Sequence, residues 1–390
     1  MVRKVLRFFG QIPPPLVLLF ICILAYSPLI PFLGYYWDDL PNMWVYHMFG
    51  PGGYISYNSN HRPFSAWVFI VTTYFLGESP LGYHILALLM RWAGAVAVWW
   101  TLKQLWPAAD KQRLWVSLLF AIYPGFRELP IATVFNIHLV CLLLTFLSFG
   151  GMLWAVRHPH RFWPVTILSL IAGAVSIFTM EYFISLELLR PLFLFIVFQE
   201  KISEKGKRLL QTLLVSLPYM AILVVYGAWR IFFFKFPYYV PVLIDQSQSL
   251  GDRLSALLPL ISTSILRAGF FAWFNPFIPN DFNMLGRNML ILSWAVLIAG
   301  TGATLAFLYR RKNEIKQAQP VTRVTHSSWP TQAISVGALA LFIAGWPFWI
   351  AGLQVDLDPL GSRFTLPFIF GSALLAVSYT HLTLPTKRIV

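Results

Sequence analysis

Ile131 to Val156 reads IATVFNIHLVCLLLTFLSFGGMLWAV, 26 residues without a single Asp, Glu, Lys or Arg. As a helix rising about 1.5 Å per residue, such a run covers more than the roughly 30 Å hydrocarbon core of a bilayer. Comparable apolar runs flank it at Pro15 to Leu33, Leu81 to Leu102, Leu209 to Tyr226 and Met289 to Tyr309. Their length excludes β-barrel strands, which need only about 10 residues. Across the 390 residues, hydrophobic side chains make up 58% and charged ones 11%, a balance outside that of soluble domains. The chain reads as an integral membrane protein. Cys22 and Cys141 both lie inside apolar runs and read as small buried hydrophobes, not as a disulfide or metal site.

The net charge of +14 comes from basic residues gathered in short segments between the apolar runs. These segments are Arg3-Lys4 with Arg7, Lys103 with Lys111 and Arg113, Arg157 with Arg161, Lys201 to Arg208, and Arg310 to Lys316. That distribution sets topology in membranes and argues against nucleic acid as a partner. It puts the N-terminus in the cytoplasm, with a retained first helix because Tyr35-Tyr36-Trp37 follows without a small-residue cleavage site. The pattern suits a bacterial inner membrane.

Alternating basic segments with apolar runs predicts an all-α, polytopic bundle of about ten transmembrane spans, with external loops bearing interfacial helices. The first exits after Leu33, the second returns near Leu102, and a short third run, Leu114 to Pro124, goes out. Ile131 to Val156, Phe162 to Phe178, Phe183 to Phe198 and Leu209 to Phe233 continue the alternation. Leu254 to Phe274 is then expected as an interfacial or re-entrant helix, since a further crossing would put Arg310-Arg311-Lys312 on the wrong face. Met289 to Tyr309, Ala333 to Ala351 and a run opening at Phe364 complete the set. The last 14 residues, VSYTHLTLPTKRIV from Val377, resemble a translated sequencing-adapter tail. The expectation is therefore a transmembrane domain over 1–376, continuing in the natural protein beyond Ala376, with 377–390 artefactual.

On this path only Asp110, Glu200, Glu204 and Glu314 of the 15 acidic residues face the cytoplasm, so the external face is the acidic one. Its densest polar chemistry is Trp37-Asp38-Asp39 followed by Tyr57-Asn58-Ser59-Asn60-His61-Arg62-Pro63. Paired carboxylates can divide a transfer reaction, one taking the proton of an attacking hydroxyl and the other holding a divalent cation against a phosphate leaving group. The adjacent His61-Arg62 suits a lipid phosphate, which Arg binds bidentately. The plain alternative is a solvated loop with a helix-capping Asp and a snorkelling Arg.

The order of the acidic pair, Asn60-His61-Arg62-Pro63-Phe64 and Gly77-Glu78-Ser79-Pro80-Leu81-Gly82-Tyr83-His84 resembles the GT-C membrane glycosyltransferases. The protein O-mannosyltransferase-like and tetratricopeptide-containing mannosyltransferase branches are nearest. Ser117 to Glu128, SLLFAIYPGFRE, is similar to the segment in which those enzymes carry a His-Pro and then a Glu. The resemblance covers about Pro15 to Val156. It implies an enzyme moving a sugar from a polyprenyl-phosphate donor to a glycan, lipid or protein acceptor on the external face. Carried over, Asp38 becomes the acceptor-activating base. Asp39 and Glu128 become metal or positioning carboxylates for Mg or Mn, His61 a positioning group, and Arg62 with Arg127 the lipid-phosphate ligands. Two positions depart from the pattern: Tyr123 stands where those sequences often have His, and Met90-Arg91 where an Asn or His is usual.

Outside that stretch, Glu181 sits at a helix boundary and either joins the polar cavity or anchors the interface. Glu187 with Arg190 at i+3 reads as a neutralised pair within one helix. Arg91, deep in the second helix, calls for a carboxylate on a neighbouring helix. His84 and His138 have apolar neighbours and read as hydrogen-bonded bundle residues. Arg363, beside Phe364 and near Asp356 and Asp358, is either a second phosphate ligand or part of a loop charge cluster. There is no Gly-rich nucleotide loop and no solenoid repeat, which fits a lipid-linked donor. A transporter or flippase, with charges at the midplane and matched broken helices, and a non-catalytic membrane subunit remain the alternatives.

Overall fold

A computed structural model of the chain describes residues 12–234, 249–277, 329–359 and 361–383, with a few positions between 291 and 302. Every described element is helical. In chain order the α-helices are α1 (Pro14–Tyr26), α2 (Asp39–Phe49), α3 (Gly53–Asn58), α4 (Ala66–Leu76), α5 (Pro80–Leu105), α6 (Asp110–Ala121), α7 (Ala132–Arg157), α8 (Phe162–Thr179), α9 (Leu189–Gln199), α10 (Lys205–Ala228), α11 (Leu250–Gly269), α12 (Trp329–Ala344), α13 (Trp346–Ile350) and α14 (Ile369–Thr383). Two 3₁₀ segments, Glu181–Leu188 and Ser362–Phe368, lead into α9 and α14. The chain forms one unit from 1–273 with 329–390, and a second from 274–328 of which only a few residues are described.

Seven helical segments among the described residues are long and apolar enough to cross a membrane: Pro14–Phe32, Pro80–Leu105, Ala132–Arg157, Pro159–Thr179, Lys205–Phe233, Leu254–Trp273 and Trp329–Ile350. This differs from the ten expected in several ways, one being that the run opening at Phe364 is divided between the 3₁₀ segment Ser362–Phe368 and the 15-residue α14. The third expected span is a helix of only 12 residues, and the sixth is divided between an 8-residue 3₁₀ segment and the 11-residue α9. Leu254–Trp273, expected at the interface, has the length and composition of a full span. Of Met289 to Tyr309 only a few positions are among the described residues.

The central helix is α7, with 19 of its 26 residues buried. Small residues let its neighbours close in: a Cβ on Gly150 would lie 2.4 Å from the Trp100 ring of α5. On the α8 side, Thr145 Oγ1 and Ser176 Oγ are 2.9 Å apart, and Ser169 Oγ donates to the Ser148 carbonyl at 2.6 Å. Short polar side chains of this kind join helices where the lipid offers no hydrophobic drive. The Glu187–Arg190 pair forms as the spacing predicts, with Arg190 Nη2 2.8 Å from Glu187 Oε1 and also donating to Ser148 Oγ at 2.8 Å. The Tyr219 and Phe149 rings cover the guanidinium at 4.2 and 4.6 Å.

Arg91 takes a different partner from the carboxylate expected. It is 2% exposed, and its guanidinium donates to three carbonyls at the end of α6: Ala121 at 3.0 Å, Tyr123 at 3.1 Å and Phe120 at 3.3 Å. The Tyr26 hydroxyl also donates to Ala121, at 2.8 Å. The last carbonyls of a helix carry its partial negative charge and lack intrahelical donors, so a buried cation there meets both needs. Because α6 stops inside the bundle, its open end requires this cap.

Polar contacts sort the connections to two ends. Gln332 with Trp106 (2.8 Å), Glu200 with Arg157 (2.9 Å) and Lys201 with the Val156 carbonyl (3.1 Å) gather the basic connections. The opposite end joins the loops before α2, α4 and α7, the Glu181 segment and the loop after α13.

Candidate functional site

At that second end the two adjacent carboxylates diverge. Trp37 has a left-handed backbone, φ 47°, which costs a non-glycine residue on the order of 1 kcal/mol or more. Immediately after this turn, Asp38 is exposed at the N-cap position of α2, and its side chain makes no capping bond there. Asp39 is fully buried. Its Oδ1 accepts from the Thr133 amide (2.9 Å), the Val134 amide (3.2 Å) and the Thr133 hydroxyl, and its Oδ2 from the Tyr36 amide (3.4 Å). Thr133 and Val134 occupy the second and third positions of α7, and the residue at its cap is Ile131, which offers no acceptor. Asp39 therefore caps α7 from 94 residues away, where a carboxylate is also favoured by the helix dipole. Burial pushes its carboxyl up, while these four bonds pull it down.

Asp39 Oδ1 is taken by three donors, and among the described residues no three His, Cys, Asp or Glu side chains converge as metal ligands.

Glu128 lies in the loop between α6 and α7 and is 1% exposed. Its Oε1 accepts from the Arg363 amide at 3.3 Å, and its Oε2 has no hydrogen-bond partner. Burial pushes its carboxyl up to about 8, against the pull of the Arg363 charge, the Arg363 amide and the Ser362 hydroxyl, with the Asp38 charge adding to the rise. The exposed Arg127 donates its amide to Ser362 Oγ (3.1 Å) and Nη1 to the Leu357 carbonyl (3.3 Å), tying this loop to the one after α13. Arg267 with Asp356 (3.0 Å) ties α11 to the same loop.

Arg62 and Glu181 meet bidentately, Nη2 to Oε1 at 2.8 Å and Nε to Oε2 at 3.2 Å. Both side chains are about one-third exposed (34% and 32%), so the pair stands at the edge of the site and not in the core. Burial works to raise the Glu181 carboxyl, and the Arg62 guanidinium more than reverses it, holding Glu181 below its ordinary range. The Arg62 guanidinium also lies 5.4 Å from the Tyr182 ring. The expected residues Asp38, Glu128, Arg62, Glu181, Arg127 and Arg363 thus share one end of the bundle. His61 is exposed beside Arg62.

Tyr182 and Arg230 of this region went unmarked in the sequence, and His138 departs from the hydrogen-bonded bundle residue expected there. His138 is 4% exposed, its ring centroid 4.9 Å from both Phe135 and Tyr182, and neither ring nitrogen makes a well-formed hydrogen bond. Tyr182 links it to Phe364 at 5.6 Å. Arg230 lies in the π-helical turn Trp229–Phe233 that ends α10, and its charge helps hold the Glu181 carboxyl down. A π-turn interrupting a helix often accompanies a functional site. The signals were faint: a His in an apolar run and an Arg at its end are ordinary in membrane helices.

No protein-family model matches the chain, and no curated protein matches it.

Proposed function

We propose that the chain is a membrane glycosyltransferase that moves a sugar from a polyprenyl-phosphate donor to an acceptor hydroxyl on the external face. The observation that carries this reading is the division of labour within Trp37-Asp38-Asp39. One carboxylate is committed to an α-helix, and its neighbour is left exposed after a strained turn, within electrostatic reach of the buried Glu128. An exposed carboxylate of this kind is suited to accept a proton.

In the proposed reaction the acceptor oxygen attacks the anomeric carbon and its proton passes to Asp38. The bond from that carbon to the phosphate oxygen breaks, and its electron pair leaves on the polyprenyl phosphate. Single displacement inverts the anomeric centre. Arg62 and Arg127, both solvent-accessible, are the cations offered to the leaving phosphate. Transport finds less support, because the arginines and the carboxylate buried within the bundle are taken up by the fold. Here Arg91 serves α6, and Glu187 and Arg190 serve each other.

The test is transfer of radiolabelled sugar from a panel of polyprenyl-phosphate donors by membranes containing the chain or its Asp38→Asn variant. Loss of transfer with unchanged accumulation supports Asp38 as the base. Equal turnover in both removes it from the mechanism.

A further inference from the structure

Buried polar atoms are nearly always hydrogen-bonded, and each exception calls for a cause. Four of the 15 such exceptions among the described residues gather in one place: Glu128 Oε2, both ring nitrogens of His138, which has only a weak contact with the Phe135 backbone, and Arg363 Nε. The three residues are tied together. Arg363 donates its amide to Glu128, and its guanidinium lies 5.8 Å from the Phe135 ring and 5.1 Å from the Phe364 ring. Phe135 in turn touches His138, and Tyr182 touches both His138 and Phe364.

From this arrangement we infer a binding site for an uncharged sugar, with Glu128, His138 and Arg363 taking its hydroxyls and Phe135, Tyr182 and Phe364 flanking its apolar C–H surface. The chemistry selects a polyhydroxyl group. Arg363 Nε can only donate, Glu128 offers an acceptor or a carboxylic O–H, and a neutral imidazole offers one of each. Hydroxyls both donate and accept, so several on one ring can satisfy all three side chains. A phosphate dianion offers only acceptors and would leave the acceptor atoms of Glu128 and of the imidazole unpaired. The phosphate of a donor belongs instead with the more open Arg62 and Arg127. Burial explains why the site can discriminate, since a hydroxyl missing from the ligand leaves a buried group unpaired.

The inference rests on the donor reading above and has its own test. The probes are farnesyl phosphate and farnesyl phosphate carrying glucose, mannose, galactose or arabinose, titrated onto the purified full chain in nanodiscs. At least one sugar-bearing probe is expected to bind about tenfold more tightly than farnesyl phosphate. His138→Phe, which keeps an aromatic ring among aromatic neighbours, is expected to erase that preference while leaving farnesyl phosphate affinity unchanged. His138→Gln, which keeps a donor and an acceptor, should restore part of it. Equal binding of all probes by the unaltered chain, or a preference that survives His138→Phe, overturns the sugar site and leaves the lipid-phosphate donor standing. No saturable binding of any probe overturns both.

Discussion

Asp39 offers the sharpest test of how the two adjacent carboxylates differ. Truncation to Ala removes the acceptor for two amides and a hydroxyl at the start of α7. Losing an N-cap side chain costs about 1 kcal/mol in exposed helices. This one is fully buried, and α7 is the central helix, so water cannot easily replace it. Donors left unsatisfied in such a place cost about 1–3 kcal/mol. Asp39→Ala should therefore destabilise by about 3 kcal/mol. Asp39→Asn keeps an oxygen that accepts and escapes part of the desolvation that pushes the carboxyl up, so it should lose no more than about 1 kcal/mol, the dipole's share. Asp38→Ala, at an exposed side chain without a capping bond, should stay within about 0.5 kcal/mol of the parent. The assay is the thermal midpoint of each purified variant in one detergent, with Thr133→Ala added to complete a double-mutant cycle. Equal midpoints for Asp39→Ala and Asp38→Ala would refute the cap, as would strict additivity between Asp39 and Thr133.

Three further outcomes follow from the geometry. Arg91→Lys retains the charge but not the fork that reaches three carbonyls, so it should lower the thermal midpoint clearly, by about 2 kcal/mol or more of stability; an unchanged midpoint would show that the end of α6 is held otherwise. Glu187→Gln should cost about 3–5 kcal/mol by stranding Arg190, and the Glu187→Leu, Arg190→Leu double variant should recover most of it, as measured by yield of folded protein from detergent extracts. Glu128, raised to about 8 in the folded chain against roughly 4.3 unfolded, holds a proton that the unfolded chain releases. Stability should thus fall as pH rises between those values and level off above them, a slope that Glu128→Gln removes; midpoints measured from pH 5 to 9 that fall identically in both proteins would contradict this.

The membrane character and the helical class were legible because uninterrupted apolar length is a property of sequence alone. The helix breaks were not. Leu114 to Pro124 looks like a short crossing, and while Pro124 and Gly125 mark a helix end nearby, nothing says that the end lies inside the bundle, because the cap that permits it is Arg91 on another helix. The same applies to Asp39. An acidic pair after an apolar run reads equally as chemistry or as capping, and the helix it caps begins 93 positions later, at Ala132. Glu187 with Arg190 was readable since both partners lie within one turn. The gathering of Arg62 with Glu181 and of Glu128 with Arg363 depends on tertiary placement across 119 and 235 positions, which spacing cannot reveal.

These particulars change how charge within this bundle is weighed. An ionisable residue inside a membrane segment is by default a functional hypothesis, because its burial is costly. Arg91, Glu187 and Arg190 would each have qualified, yet each meets partners fixed by the fold: helix-end carbonyls, an ion pair, a serine and two aromatic rings. At the other end of the scale, Glu128 and His138 are nearly as buried and keep polar atoms without partners. Burial is therefore the same in both groups and cannot separate structure from function here. Satisfaction separates Glu187 and Arg190, whose side-chain polar atoms all meet partners, from Glu128 and His138, while Arg91 meets three carbonyls and still keeps Nη1 unpaired. The end of the bundle around Asp38, Glu128, His138 and Arg363 is thus a region where an added ligand would gain hydrogen bonds that the folded chain does not already make for itself.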